Sequence, residues 1–439
     1  MKMMVKGAVF VLALMAAPAG LAAQIGNEIH PISLDDAVRL AQLNQPSTVQ
    51  ARNALRTGEA SIRQTILGYL PSLSISTGAT QRGGERYAEG IKLPSTPNPW
   101  SYSRGLGIGN VTLFDGMARW NNIKTQKSNL NASEATLVTQ RYNVALNVKT
   151  AYYAVLTARE QESAAERQLE QAEQQLRVST AKINAGSATR TDSLSGAIAV
   201  GNARQAILNA QNQVRNANAQ LTRYVATPYT VTATAADTSD IAEIDVDEAS
   251  LLSMALEGPA VRQSTAQVNA AQTAAKAARA PYMPTLSMNM SYGLTVDNSS
   301  HLQWGAPSGN STSFGFNLGY TLFNNYTREA QIVQTRVGVE NAEANLRDQK
   351  FAAQQNLSTY LNNFRTALLS IELNKLQIQA AEENLRVVQE QYNLGTKQLL
   401  DLLTAQTSLD NVRTTLISSR QNARLAKANI ESLIGRDIK

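Results

Sequence analysis

The chain has 439 residues, with 40 Lys+Arg, 34 Asp+Glu, two His, no Cys and a formal charge of +6. The lack of Cys excludes disulfides, thiolate metal sites and Cys nucleophiles together, and His30 and His301 have no ligand neighbours at metal-motif spacing. The basic residues are scattered among acids without aromatic interleaving, which gives nucleic acid no footing.

Lys2 and Lys6 precede an apolar run from Gly7 to Ala17 and the small residues of 18–23. This predicts a secretory signal peptide over residues 1–23, cut within about 19–23, because the run is too short to span a membrane. Losing Lys2 and Lys6 leaves a formal charge of +4. No Cys follows for lipid attachment. Beyond residue 23 no stretch approaches the ~18 apolar residues of a membrane helix. The mature chain is then either soluble outside the cytoplasm or a β-barrel membrane protein.

The remainder reads as one unit written twice. Leu67-Gly68-Tyr69-Leu70-Pro71-Ser72-Leu73 recurs as Ala280-Pro281-Tyr282-Met283-Pro284-Thr285-Leu286, and Pro46 matches Pro259 at the same offset. Thr112-Leu113-Phe114-Asp115 recurs as Thr321-Leu322-Phe323-Asn324, and Asn184-Ala185-Gly186-Ser187 as Asn393-Leu394-Gly395-Thr396. The expected organisation is a first repeat over 24–226, a Thr/Ala/Asp-rich linker over 227–247 and a second repeat over 248–439. Each repeat has the order helix, β-hairpin (72–114, then 285–323), long helix, turn, long helix.

From about Met117 to Ile183 there is no Pro and no internal Gly, and from about Tyr326 to Tyr392 only Gly338 interrupts. Some 66 helical residues reach about 100 Å, which calls for a coiled coil. Val148, Val155, Leu169, Leu176 and Ile183 keep one seven-residue register, broken by Glu162, with Ala151, Ala158, Ala165, Ala172 and Ser179 three residues on. Leu357, Phe364, Ile371, Ile378, Leu385 and Tyr392 form the second line. The return helix carries Leu402, Leu409, Leu416, Ala423 and Ile430 beside Ala405, Val412, Ser419, Ala426 and Leu433. A strict seven-residue repeat gives a left-handed coiled coil. Its Gln-, Asn-, Ser- and Thr-rich outer faces suit solvent or the wall of a water-filled tube.

After Pro71 and Pro284 the period changes to two. Leu286, Met288, Met290, Tyr292, Leu294 and Val296 alternate with polar or small residues, as do Phe314, Phe316, Leu318, Tyr320 and Leu322. Leu73, Ile75, Thr77 and Ala79 begin the first hairpin, whose return from Arg104 to Leu113 is Gly-rich. Such strands match transmembrane β-strands, with Met288 and Met290 facing lipid rather than a metal. Four strands cannot close a barrel of about eight or more, and an open edge in lipid is costly, so several chains must share one barrel. All helices then lie on one side of the membrane and loops 82–103 and 297–311 on the other.

At this point the sequence resembles the TolC-like outer-membrane efflux family over nearly the whole mature chain. The likeness rests on the twofold repeat, the strand entrances at Pro71 and Pro284, the exits Thr112–Asp115 and Thr321–Asn324, and Tyr392-Asn393-Leu394-Gly395-Thr396-Lys397-Gln398-Leu399-Leu400-Asp401-Leu402-Leu403. The resemblance implies a mainly α homotrimer with a twelve-stranded transmembrane β-barrel continuous with a periplasmic α-helical coiled-coil barrel. It implies residence in outer-membrane lipid and docking with a periplasmic adaptor (membrane fusion) protein and an inner-membrane transporter, for drug efflux or type I secretion. It places a periplasmic gate on Thr191, Asp192, Tyr392, Lys397 and Asp401, and helix-turn tips for adaptor docking at Gly186, Ser187, Gly395 and Thr396. Lys397 stands where the family often has Arg, so a two-pronged link is lost. Asp401 matches an acid ring at the constriction that would favour cations, while a second family acid is Thr404 here.

The same residues have plainer roles. Gly186 and Gly395 suit any helix C-terminus, Asp192 and Asp401 any helix start, and Tyr392 continues the coiled-coil seam. A periplasmic coiled-coil scaffold or adaptor without a pore remains the alternative, and the paired amphipathic hairpins argue against it. No phosphate loop, metal cluster or nucleophile–base constellation points to an enzyme or a cofactor.

Overall fold

The computed structural model describes residues 29–81, 86–93, 100–185, 189–234, 244, 246–297 and 309–438. The predicted signal peptide and His301 lie outside them. The chain runs β1 (His30–Ile32), α1 (Leu34–Asn44), α2 (Pro46–Leu67), β2 (Leu73–Gln81), β3 (Arg86–Ala88), β4 (Ile91–Leu93), β5 (Trp100–Phe114), α3 (Ala118–Asn184) and α4 (Arg190–Val225). It continues through β6 (Val231–Ala233), α5 (Glu248–Leu256), α6 (Pro259–Ala277), a 3-10 turn at Ala280–Tyr282, β7 (Thr285–Asp297), β8 (Gly309–Gly319), α7 (Thr327–Asn393) and α8 (Leu399–Ile434).

The first helix of each half is in fact two. Pro46 and Pro259 each start the second piece at a position where a missing N–H costs nothing. α3 and α7 are 67 residues each, and α4 and α8 are 36 each. The long helices begin one residue later than the sequence suggests. Met117 (φ 68°) and Tyr326 (φ 64°) take the left-handed conformation and serve as N-caps instead.

The expected seams are the buried ones. Val148, Val155, Ala151, Ala158, Ala165, Ala172 and Ser179 on α3 are buried, as are Leu357, Phe364 and Ile371 on α7 and Leu402, Leu409, Ala423 and Ile430 on α8. Small residues let α3 and α4 pack closely, while one polar pair interrupts the second seam. The Asn374 amide donates to Ser419 Oγ at 3.0 Å, and both residues are buried.

Two larger cores lie at mid-length of the long helices. One gathers Val144, Val148, Tyr152 and Val155 of α3 with Leu221 and Val225 of α4, Ala37 and Ala41 of α1, and β6. The other gathers Leu251 of α5 with Leu357, Leu361 and Phe364 of α7 and Ile430 and Ile434 of α8. The segment 227–247, expected as a linker, therefore carries a core strand. β6 is buried and pairs in parallel with β1. Three-residue strands are too short to show a period. His30 sits in β1, with its ring edge-on to Tyr229 at 4.8 Å.

β2, β5, β7 and β8 form one antiparallel sheet in that order. Register puts Ile75, Leu106 and Tyr292 in one cross-strand row, and Ile108, Met290 and Phe314 in the next, all on one face. Ser74, Gly107 and Ser291 share the opposite face, as do Ser287 and Asn317. A small extra hairpin, β3–β4, lies beyond the end of the sheet, in the loop expected over 82–103.

Sheet and helices meet at a matched junction. Arg119, in the first turn of α3, donates to Asp115 Oδ2 at 2.9 Å, to the Gly68 carbonyl at 3.3 Å and to the Thr112 carbonyl, with its guanidinium over the Tyr69 ring. Arg328, in the first turn of α7, donates to the Thr321 and Leu322 carbonyls at 3.0 and 3.3 Å and lies over Tyr282. Gly116 (φ 62°) cannot carry a side chain, because a Cβ would fall 2.3 Å from Met283 Cβ.

Candidate functional site

The ends of the helical hairpins hold the residues singled out from the sequence. At the second tip α7 stops in a double hydrogen-bonded turn. Gly395 N–H donates to the Tyr392 carbonyl at 3.2 Å and Thr396 N–H to the Gln391 carbonyl at 2.9 Å. Gly395 takes φ 77°, the left-handed residue this motif needs. α8 then starts with Asp401 Oδ2 accepting from Gln398 N–H at 3.1 Å. Lys397 and Thr396 are exposed, and Asp401 is half-buried.

At the first tip, Gly186 and Ser187 lie outside the described residues. Thr189 caps α4, and its N–H and hydroxyl donate to Asp192 Oδ2 at 2.9 and 3.0 Å, while Asp192 N–H returns a bond to Thr189 Oγ1. Thr191 is exposed and Asp192 half-buried. Both acids thus occupy the third helical position, where a carboxylate satisfies an end N–H and meets the positive end of the dipole.

Tyr392 is 6% exposed, packed among Leu385, Val388, Leu399, Leu402 and Leu403. Its hydroxyl finds no hydrogen-bond partner among the described residues. The structure brings Tyr392 to Lys182 rather than to Asp192. The Lys182 ammonium lies 3.9 Å from the ring centroid and donates to the Tyr392 carbonyl at 3.1 Å. None of the hydrogen bonds or ion pairs among the described residues joins Lys397 to Thr191 or Asp192. Sequence reasoning missed Lys182 because it stands one residue off the heptad seam, next to Ile183. Its one signal is a cation in the last turn of α3, where it complements the dipole.

At the other end of the molecule the sheet shows its apolar face openly. Ile75 is 86% exposed, and Leu73, Phe314, Phe316 and Leu318 are exposed as well. Among the described residues, β2 and β8 each leave one edge unpaired. Tyr69, Trp120, Tyr320, Phe323 and Tyr326 stand exposed near the junction with the helices, the amphipathic belt expected at a membrane–water boundary. No helix of the described residues is long and apolar enough to cross a membrane.

A two-faced antiparallel sheet, open at both edges among the described residues and set on helical hairpins of about 100 Å, is the architecture of an outer-membrane channel chain. The chain belongs to the outer membrane efflux protein family, whose model matches residues 37–227 and 251–436. It is 23% identical over 422 residues to outer membrane protein TolC of Escherichia coli, covering 92% of this chain and 83% of that protein. It is 24% identical over 404 residues to outer membrane efflux protein BepC of Brucella suis, covering 87% of each. The fold is similar to the crystal structure of the Campylobacter jejuni CmeC outer membrane channel, with a TM-score of 0.77 and 16% identity over 92% of this chain and 86% of that one. Outer-membrane location and a transport role follow from the family.

Proposed function

We propose that three copies of this chain join edge to edge, so that the four-stranded sheets close one twelve-stranded barrel and the helical hairpins continue it as a tunnel across the periplasm. The observation that carries this reading is the sheet itself, with one apolar face and, among the described residues, two unpaired edges. An unpaired edge in hydrocarbon costs several kcal/mol per group, and four strands are too few to close alone. The chain would be built as two copies of one unit, 24–226 and 248–439. The equal lengths of α3 and α7 and of α4 and α8 support this, as does the family match in two blocks.

The tunnel would serve a tripartite efflux or type I secretion system, receiving substrate from an inner-membrane transporter through a periplasmic adaptor that docks on the tips at Gly186, Ser187, Gly395 and Thr396. Its inner end would be closed where the tips of neighbouring protomers meet. The unpartnered Tyr392 hydroxyl supports an acceptor on a neighbouring chain, and the exposed Thr191 and Lys397 leave donors and acceptors for links between chains. Three copies of Asp401 would favour cations at the constriction. Only a partner that binds the open state better can shift the gate.

The test is single-channel conductance of the purified protein in planar bilayers at both polarities. Small cation-selective steps are expected, enlarged by Tyr392→Phe with Lys397→Ala. Recovery as a soluble monomer without steps would overturn the channel reading, and unchanged conductance in the double variant would overturn the latch.

A further inference from the structure

Near their inner ends the two helical hairpins of one protomer face each other across a groove of about 620 Å³, whose lining includes Gln174, Gln389, Asn393 and Gln406. Glu382, Arg386 and Arg413 line it too, but they pair within the second hairpin, Arg413 with Glu382 and Arg386 with Glu383 and Glu390, and the amide side chains bind water nearly as well as each other. They supply little to hold α7 and α8 against α3. At the foot of this region stands Lys182 against Tyr392.

We propose that Lys182 is the tether that holds the inner end of α7 to α3 within each protomer, and that its withdrawal from Tyr392 is a required step in opening the tunnel. The proposal rests on the channel reading above. It does not depend on the links between chains.

The contact fixes two points at once. The ammonium is 3.9 Å from the ring centroid, inside the range of a cation–π contact, and 3.1 Å from the Tyr392 carbonyl oxygen. That carbonyl lies in the last turn of α7 and already accepts from Gly395 N–H, so the helix dipole adds to its pull on a cation. On its other sides the ring is clasped by Leu385, Val388, Leu399 and Leu402. The ring therefore travels with α7 and α8, and the cation with α3. Moving the second hairpin away from the first breaks both contacts together.

Asp192, the gate acid of the first tip, is engaged within its own turn. Asp192 Oδ2 takes the Thr189 N–H and hydroxyl, and the Tyr392 hydroxyl has no acceptor among the described residues. Among the described contacts between Lys182 and Tyr392, the ring face and the carbonyl do the holding. Loss of the cation should change the closed-to-open ratio about 5- to 30-fold per protomer, the weight of a sheltered cation–π contact.

The experiment uses the full-length assembly in planar bilayers. Lys182→Met keeps the stem and removes the charge, and Lys182→Gln repeats the test with a polar end should the first variant fail to assemble. Lys182→Arg keeps a cation that stacks and donates. The expected result is a larger conductance or open probability for Met and Gln, with Arg close to the parent and unchanged heat resistance of the assembly throughout. If Met and Gln conduct like the parent while Tyr392→Phe with Lys397→Ala opens the pore, the tether is wrong and the channel stands. If Arg opens the pore as much as Met, packing and not charge is at work, and the proposal falls. If neither the parent nor any variant enters membranes as an assembly, the channel reading falls with it.

Discussion

The Arg119 guanidinium lies 4.4 Å over the Tyr69 ring while it grips three oxygens of the strand-to-helix turn. Its side chain and that of Asp115 are 16% and 20% exposed, so the pair is sheltered from solvent screening. Arg119→Ala removes a charge-assisted bond, a cation–π contact and two carbonyl partners at once. A loss of about 2–3 kcal/mol is expected, read as a lower guanidinium midpoint of the detergent-extracted protein. Arg119→Lys should recover only part of it, because an ammonium cannot stack and fork in the same pose.

Lys149 of α3 binds Glu431 of α8 at 2.6 Å with side chains only 17% and 11% exposed, and reaches Asp437 at 3.3 Å. Burial opposes the ammonium, but Glu431 and Asp437 more than offset it, so Lys149 titrates above an ordinary lysine. A raised folded-state pKa means that its stabilisation is full below about pH 10.4, the usual lysine value. It is lost as pH rises through the higher folded value. Lys149→Met leaves Glu431 buried without its cation and should cost about 3–5 kcal/mol. Adding Glu431→Gln, which keeps an acceptor for the Ile438 N–H, should restore most of that. Unfolding midpoints between pH 7 and pH 12 check the sign: the parent should fall faster than the double variant above pH 10.4.

Asp401 does two separable things in this reading. As a cap it accepts from Gln398 N–H, and as a charge it sets the ion preference of the constriction. Asp401→Asn keeps an acceptor and removes the charge, so cation selectivity should drop while stability changes by only a few tenths of a kcal/mol. Asp401→Ala should lose both, with about 1 kcal/mol of stability. Reversal potentials in a salt gradient, set beside unfolding midpoints, separate the two. Equal selectivity in Asn and parent would remove Asp401 from the ion path.

The long elements were legible because their periods repeat many times. A seven-residue register kept from Val148 to Ile183 with one break at Glu162 admits one structure, and alternation from Leu286 to Val296 admits one face for Met288 and Met290. Short elements carry no such redundancy. β1 and β6 are three residues each and are held by pairing and by the packing of Val231 against α3 and α4, which only the folded chain reveals. The site divides in the same way. Gly395 and the two capping acids follow from local helix-end chemistry, which sequence states directly. The approach of Lys182 to Tyr392 depends on how two hairpins far apart in sequence lie side by side, and neither residue encodes it alone. Asn374 and Ser419 are a further case, since each reads as an ordinary polar residue until the two meet in a buried seam.

The turn at Gly395 gives a prediction in which conformation alone is at stake. A Cβ added there meets nothing within 4 Å, yet φ is +77°. Any loss in Gly395→Ala must then come from backbone strain and not from a clash, and about 1 kcal/mol is expected. Gly395→Asn should lose less, because Asn tolerates the left-handed region. The turn also sets where Tyr392, three residues earlier, delivers its carbonyl, which accepts from both Gly395 and Lys182. Strain at Gly395 should therefore appear in the channel as well, as a rise in conductance in the Ala variant that exceeds the rise in Asn. Unfolding midpoints and single-channel records of the two variants test this together. An Ala variant as stable and as closed as the parent would mean that the second tip does not rely on its left-handed turn.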